Sequence, residues 1–220
     1  MPYKVALICG AAIVVLMASL LLKAQQTPTP DTSNLGLVGD RFKPLTWDTM
    51  SPPQKTMTMN LLTGPRRGMG GPFNVLLRSP EMGDLAQKLG EYARFRPDVP
   101  AKLRELAIIV TARHWTAQYE WYAHRRAAEQ AGLKEEIIKA IADRKRPTGM
   151  QPDEEAVYNF ASELLETKNV RDATFKAVVD KFGEKGVVDI IGVMGYYQMV
   201  SMLLNVDRYP LPAGTQPELK

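Results

Sequence analysis

The chain has 220 residues, of which 45% are hydrophobic and 24% charged, the proportions of an ordinary folded protein rather than a disordered or fibrous one. Its formal charge of +4 is mild, and two of the basic residues, Lys4 and Lys23, flank an N-terminal apolar run. No basic stretch is interleaved with aromatics, so we expect no nucleic-acid partner.

Val5 to Leu22 is uncharged and apolar. With Lys4 before it and Lys23-Ala24 after it, the run reads as a secretory signal peptide cut after Ala24. It also approaches the ~18–20 residues that span a bilayer, so an uncleaved anchor through residues 5–22 is the alternative. Either reading predicts export: to a bacterial periplasm or the medium, or attachment to the inner membrane. The single cysteine, Cys9, lies inside this run, so the rest of the chain has no thiol for a disulfide, a zinc–thiolate site or a nucleophile. We assign residues 1–24 to signal or anchor and 25–45, rich in Thr, Pro, Asp, Ser and Gly, to a linker. Residues 46–212 form one helical domain, and 213–220 a tail.

Ser51-Pro52-Pro53 places an N-cap before a proline at the first helical position and predicts a short helix ending near Gly64. The glycine-rich stretch Gly64 to Pro72 lacks the Gly-Lys-Ser/Thr ending of a nucleotide loop, so it reads as a surface or pocket-rim loop rather than a phosphate cradle. Helical patterns follow over Phe73–Arg78, Glu81–Arg94, Ala101–His114, Thr116–Ala131, Lys134–Asp143 and Pro152–Thr167. Asp172–Phe182 should stop at Gly183. Glu184 to about Val206 is strongly apolar, but its charged, glycine and amide positions suit a buried core or interface helix better than a membrane span. No strand or repeat pattern appears; the predicted fold class is all-α.

Both histidines of the chain, His114 and His124, fall between Arg113 and His124, with two of the three tryptophans. On a helical wheel Glu105 has Ala112 about 20° away, Ile109 about 40° and Ile108 about 60° to the other side, away from a solvated stripe holding Arg104 and Thr111. A carboxyl among such neighbours is a candidate acid or base, or else a structural glutamate paired to an arginine. His124 follows Glu120 by four residues, which sets both on one helical face. The pair reads either as a tuned imidazole or as a surface ion pair. His114 points about 180° from Glu105 unless the helix breaks at Trp115-Thr116. A metal site from His114, Glu120 and His124 lacks a His-Glu-x-x-His frame, so neither metal nor cofactor is expected. Tyr196 and Tyr197 read as core residues, or as pocket residues if their hydroxyls find partners.

At these residues the chain resembles the carboxymuconolactone decarboxylase family, within the alkylhydroperoxidase-D-like group. The resemblance covers about Met50 to Pro212 and is most specific at Gly71 to Pro80, Leu103 to Ala107, Arg113 to His124 and Gly195-Tyr196-Tyr197. The hydroperoxidase branch carries a glutamate, a Cys-x-x-Cys pair and a histidine. The glutamate and histidine match Glu105 and His124, while the two cysteine positions hold Ala117 and Glu120. Peroxiredoxin-type chemistry needs those thiols, so the decarboxylase side fits better. The resemblance implies an all-helical bundle assembled as a homo-oligomer, a trimer or hexamer, with sites near subunit contacts. The expectation is a cofactor-free lyase acting on a small carboxylated lactone or related carboxylic acid. Catalysis is assigned to His124 and Glu105 with Glu120, and substrate binding to Arg113, His114, Trp115, Tyr119 and Trp121. The rival is a non-catalytic, envelope-tethered ligand-binding or interaction protein, in which Glu105 and His124 would lie apart.

Overall fold

The computed structural model describes residues 30–220, and the expected signal or anchor segment lies outside them. The folded unit runs from Thr32 to Lys220. Among the described residues there are eight α-helices and one 3-10 turn, Trp47–Thr49, and no strand. The helices are α1 (Pro52–Thr63), α2 (Phe73–Leu76), α3 (Pro80–Phe95), α4 (Ala101–His114), α5 (Gln118–Gln130), α6 (Glu135–Ala142), α7 (Pro152–Thr167) and α8 (Asp172–Asp207).

The ends of these helices follow local chemistry. Helix α1 opens at Ser51, whose N–H donates to the Gln54 side chain at 2.8 Å, and closes at Gly64. Prolines begin α3 and α7, where the absent N–H costs nothing. Gly183 interrupts α8 with φ 66° and ψ 178°, so the helix stops and restarts there as its sequence predicts. By length and composition Asp172–Asp207 could cross a membrane, yet 56% of its most apolar window is buried in the bundle and Gly183 breaks its run. It behaves as a core helix.

Helix α4 sits at the centre, packed by α5, α6, α7 and α8. Its run Leu106 to Arg113 is buried without interruption, as befits a helix that is apolar on nearly all sides. Thr111 is wholly buried rather than solvated, its hydroxyl donating back to the Ala107 carbonyl at 2.8 Å. The expected solvated stripe is therefore absent at that position, because α4 is packed by four other helices.

Two hydrophobic clusters result. The larger gathers α4 to α8 around Leu106, Ile109, Trp121 and Phe160. The smaller joins α1, α2 and α3 through Met57, Leu61, Phe73 and Leu76, with Leu35, Leu37 and Trp47 of the preceding segment packed against it. Met199 of α8 touches both.

The end of the segment read as a linker is pinned by Asp207, which is fully buried at the end of α8. Its Oδ1 accepts the N–H groups of Phe42 at 2.8 Å and Asp40 at 3.2 Å. Asn74 of α2 donates to the Phe42 carbonyl at 2.6 Å, tying the same turn to the smaller cluster. Asp207→Ala should lower stability by about 1–3 kcal/mol, because two N–H groups lose their acceptor. Urea unfolding measures this, and an unchanged midpoint would show that Asp207 does not hold the segment.

Candidate functional site

The site is built on the α4–α5 hairpin. Its turn is tight: Thr116 adopts a left-handed φ of 48°, a conformation usually left to glycine. The N–H of Ala117 then reaches the Ala112 carbonyl at 2.9 Å. The Thr116 hydroxyl accepts from Arg113 at 3.1 Å and from Arg144 at 3.2 Å, which helps hold the turn. Reversing here sets α5 antiparallel to α4. Glu105, roughly 14 Å up α4 from its end, comes level with His124, about 9 Å along α5.

Glu105 Oε2 lies 2.6 Å from His124 Nδ1, and Glu120 Oε1 lies 3.0 Å from Nε2 on the ring's other edge. The first contact is a short, charge-assisted hydrogen bond. The second is close but misaligned, for Glu120 Oε1 makes no hydrogen bond despite its burial. The Nε2 proton is thus the less firmly held of the two. Burial alone would depress the imidazole pKa. The Glu120 charge and the Glu105 hydrogen bond outweigh it and raise the pKa to about 9. His124 is an imidazolium at neutral pH, with a proton on each nitrogen.

Tyr197 sets its ring edge-on to His124, with centroids 4.7 Å apart, and Tyr196 packs edge-on to Tyr197 at 5.1 Å. Burial, together with Glu120 and Glu105, pushes the Tyr197 pKa well above its ordinary value. Burial raises that of Tyr196 as well. Both phenols therefore stay O–H donors.

These groups open onto a cavity of about 120 Å³ lined by Tyr119, Glu120, His124, Tyr196, Tyr197 and the Gly70-Gly71 turn. A second chamber of about 370 Å³ adjoins it, sharing Arg66, Gly70, Phe73 and Arg94 and reaching Phe95. The cavity lies in the seam between the two hydrophobic clusters, with Phe73 from one and Tyr196 from the other. A Cβ at Gly90 would stand 2.2 Å from Tyr196 Cζ and 2.6 Å from Arg66 Nη2. Glycine inside a helix costs about 1 kcal/mol against alanine, so α3 gives up helix propensity to admit those two side chains.

Of the residues expected to bind substrate, Tyr119 lines the cavity. Its ring packs on Tyr209 at 4.3 Å, and burial beside Tyr209 pushes its pKa up to about 12. The other four lie elsewhere. Arg113 turns to the α4–α5 turn and donates to the Lys220 carbonyl at 2.6 Å. His114 continues α4 and faces a separate groove with Ile141, Arg144 and Glu166, since the helix does not break before it. Burial and the Lys168 and Arg144 charges depress its pKa. Trp115 ends the helix, its carbonyl accepting from Asn205 at 2.9 Å. Trp121 fills the core at 1% exposure and donates to Glu218 at 3.0 Å. The cavity also holds Arg66 and Arg94, which are not among the residues expected from the sequence. Arg66 carried one weak signal, a cation in a loop otherwise made of small residues. Arg94 carried none.

Among the described residues no group of three His, Asp or Glu side chains is arranged to hold a metal ion. Glu105 and Glu120 address opposite edges of one ring instead of converging on a point.

Residues 80–163, which contain Glu105, Glu120 and His124, match the sequence model of the carboxymuconolactone decarboxylase family. Among solved structures, the chain resembles a protein of unknown function from Agrobacterium tumefaciens, described as a candidate antioxidant defence protein AhpD. The TM-score is 0.56 and the identity 15%, over 63% of this chain and 97% of that one. At that identity the likeness shows the fold alone. No curated protein matches the chain. Residues 80–163 thus match the model of the carboxymuconolactone decarboxylase family, and the all-α bundle around them shares its fold with the Agrobacterium structure.

Proposed function

We propose that this protein is a cofactor-free lyase that decarboxylates a small carboxylated lactone or related carboxylic acid. The observation that carries this reading is the 2.6 Å contact between His124 and Glu105 beside a small cavity. In the reaction the C–CO2⁻ bond breaks, carbon dioxide leaves, and the electron pair moves into a π-system ending on a carbonyl oxygen. Tyr197, held protonated, donates a hydrogen bond to that developing oxyanion. His124 then gives its Nε2 proton to the carbon, and Glu105 keeps the ring oriented. Once product leaves, Nε2 regains its proton from water re-entering the cavity that His124 lines.

The rival, a binding protein without chemistry, predicts these two side chains apart, which 2.6 Å does not support. Thiol-dependent peroxide reduction has no residue to start it, since Ala117 and Glu120 stand where cysteines would be needed. Export, as a released or tethered protein, belongs to this reading on the strength of the apolar run Val5 to Leu22.

We also infer a homo-oligomer. Met82, Leu85, Leu89 and Tyr92 form an exposed row along α3, and Phe95 continues it to the mouth of the outer chamber. Val188 and Ile191 add exposed apolar surface on α8. A trimer or hexamer buries this surface and brings subunit contacts to the site. Light scattering on the purified chain should give such a mass and Leu85→Glu a smaller one; a monomer before substitution would overturn the assembly.

The chemistry is tested by screening the purified chain against lactone and aromatic-degradation acids for carbon dioxide release. His124→Gln and Glu105→Gln should each reduce release at least roughly 10²-fold while circular dichroism stays unchanged. Undiminished release from either variant removes that residue from the mechanism.

The pKa of His124 rises from 6.5 to about 9 on folding. The stability it contributes is therefore fully present below pH 6.5 and is lost as pH climbs through about 9. Turnover that needs the imidazolium should decline over the same alkaline range. Urea midpoints and release rates across that range check both, and His124→Gln should flatten the stability profile.

A further inference from the structure

Arg66 and Arg94 are the arginines that line the His124 cavity, and neither takes part in an ion pair among the described residues. Their neighbours differ: Arg96 is spent on Glu91 at 2.9 Å, and Arg125 on Glu129, Glu135 and Glu218. Arg66 is half-buried, with its guanidinium 5.3 Å from the Phe73 ring and 5.9 Å from the Tyr196 ring. Its Nη2 reaches Tyr196 Oη at 3.4 Å, while its Nε is buried without a partner. A cation desolvated in this way, with donors left over, is costly to keep unless something anionic completes it. Gly90 is the room that α3 leaves for it.

Both arginines line the inner cavity with His124 and the outer chamber beyond it. Their charges are felt there, since both draw the Tyr196 pKa back against burial. An approaching anion otherwise meets two glutamates against one imidazolium, a site that would repel it. Two unpaired guanidinium groups on the wall reverse that sign.

We propose that Arg66 and Arg94 form the anion-binding subsite of the His124 cavity, taking the carboxylate of a small organic ligand in the forked geometry a guanidinium favours. This role replaces the one the sequence suggested for Arg113. The assignment rests on the lyase reading for its view of the ligand as a carboxylic acid, but its test does not depend on turnover.

Calorimetry on the full chain, kept in mild detergent, would compare four probes: 5-oxotetrahydrofuran-2-carboxylate, its neutral primary amide, inorganic phosphate and chloride. The carboxylate should bind at least about tenfold more tightly than the amide, and added salt should weaken it. Arg66→Gln and Arg94→Gln should each lose about tenfold in affinity, whereas Arg67→Gln, at an exposed position outside both chambers, should lose none. Arg66→Lys should keep part of the binding, retaining charge without the fork. Arg94 is exposed, so Arg94→Gln gives a folded comparison even if changes at Arg66 disturb the bundle. Equal binding of carboxylate and amide, no binding of either, or tighter binding of phosphate or chloride overturns the proposal. Arginine-dependent carboxylate binding without carbon dioxide release would sink the lyase reading and leave the subsite standing. Release without charge-dependent binding would do the reverse.

Discussion

The structure turns on one ring. His124 is buried between two glutamates, and that arrangement is stable only because the carboxylates offset the desolvation of an imidazolium. Remove the ring's charge and two carboxylates, one of them buried, flank a neutral ring; remove a carboxylate and the imidazolium loses a partner that keeps it charged. The three groups therefore stand or fall together. Interior space given to such a set is poorly explained by stability alone, since apolar side chains of similar volume would serve a core at least as well.

What holds the ring in place is the central helix. Because α4 is apolar on nearly every face, the bundle closes around it, and Glu105 is the exception left at the edge. The left-handed turn at Thr116 then decides which residue of α5 comes level with that exception. Packing, turn geometry and electrostatics thus act in sequence: the apolar faces bring α4 and α5 together, the turn sets their register, and the charges favour the result.

The cavity itself comes from a different feature, the seam between two hydrophobic clusters. One wall is supplied by α5 and α8, the other by the loop before α2, the start of that helix and Arg94 of α3. Glu105, Glu120 and His124 lie within residues 80–163, the stretch that matches the family model, whereas Arg66, Phe73, Tyr196 and Tyr197 lie outside it. The cavity wall therefore mixes residues of that stretch, Arg94 and Tyr119 among them, with residues from outside it. Asp207 bears on both, because by pinning residues 40–42 at the end of α8 it joins the N-terminal segment to the helix carrying the tyrosines.

The amino-acid order by itself determined the helices and most of their ends, since proline, glycine and capping residues act through bonds a few positions away. It also determined the pairing of Glu120 with His124, four residues apart on one turn, and the lack of any thiol where the hydroperoxidase branch it resembles carries cysteines. Glu105 was legible because its neighbours on α4 were apolar. Only the folded chain decided that Arg113, His114, Trp115 and Trp121 leave the site, because a stretch rich in suitable side chains points them around all sides of two helices. Only it decided, too, that Thr111 is covered and that Arg66 and Arg94 line the same cavity as His124. Those contacts join residues 30 to 130 positions apart, and such meetings depend on how whole helices pack rather than on any local spacing.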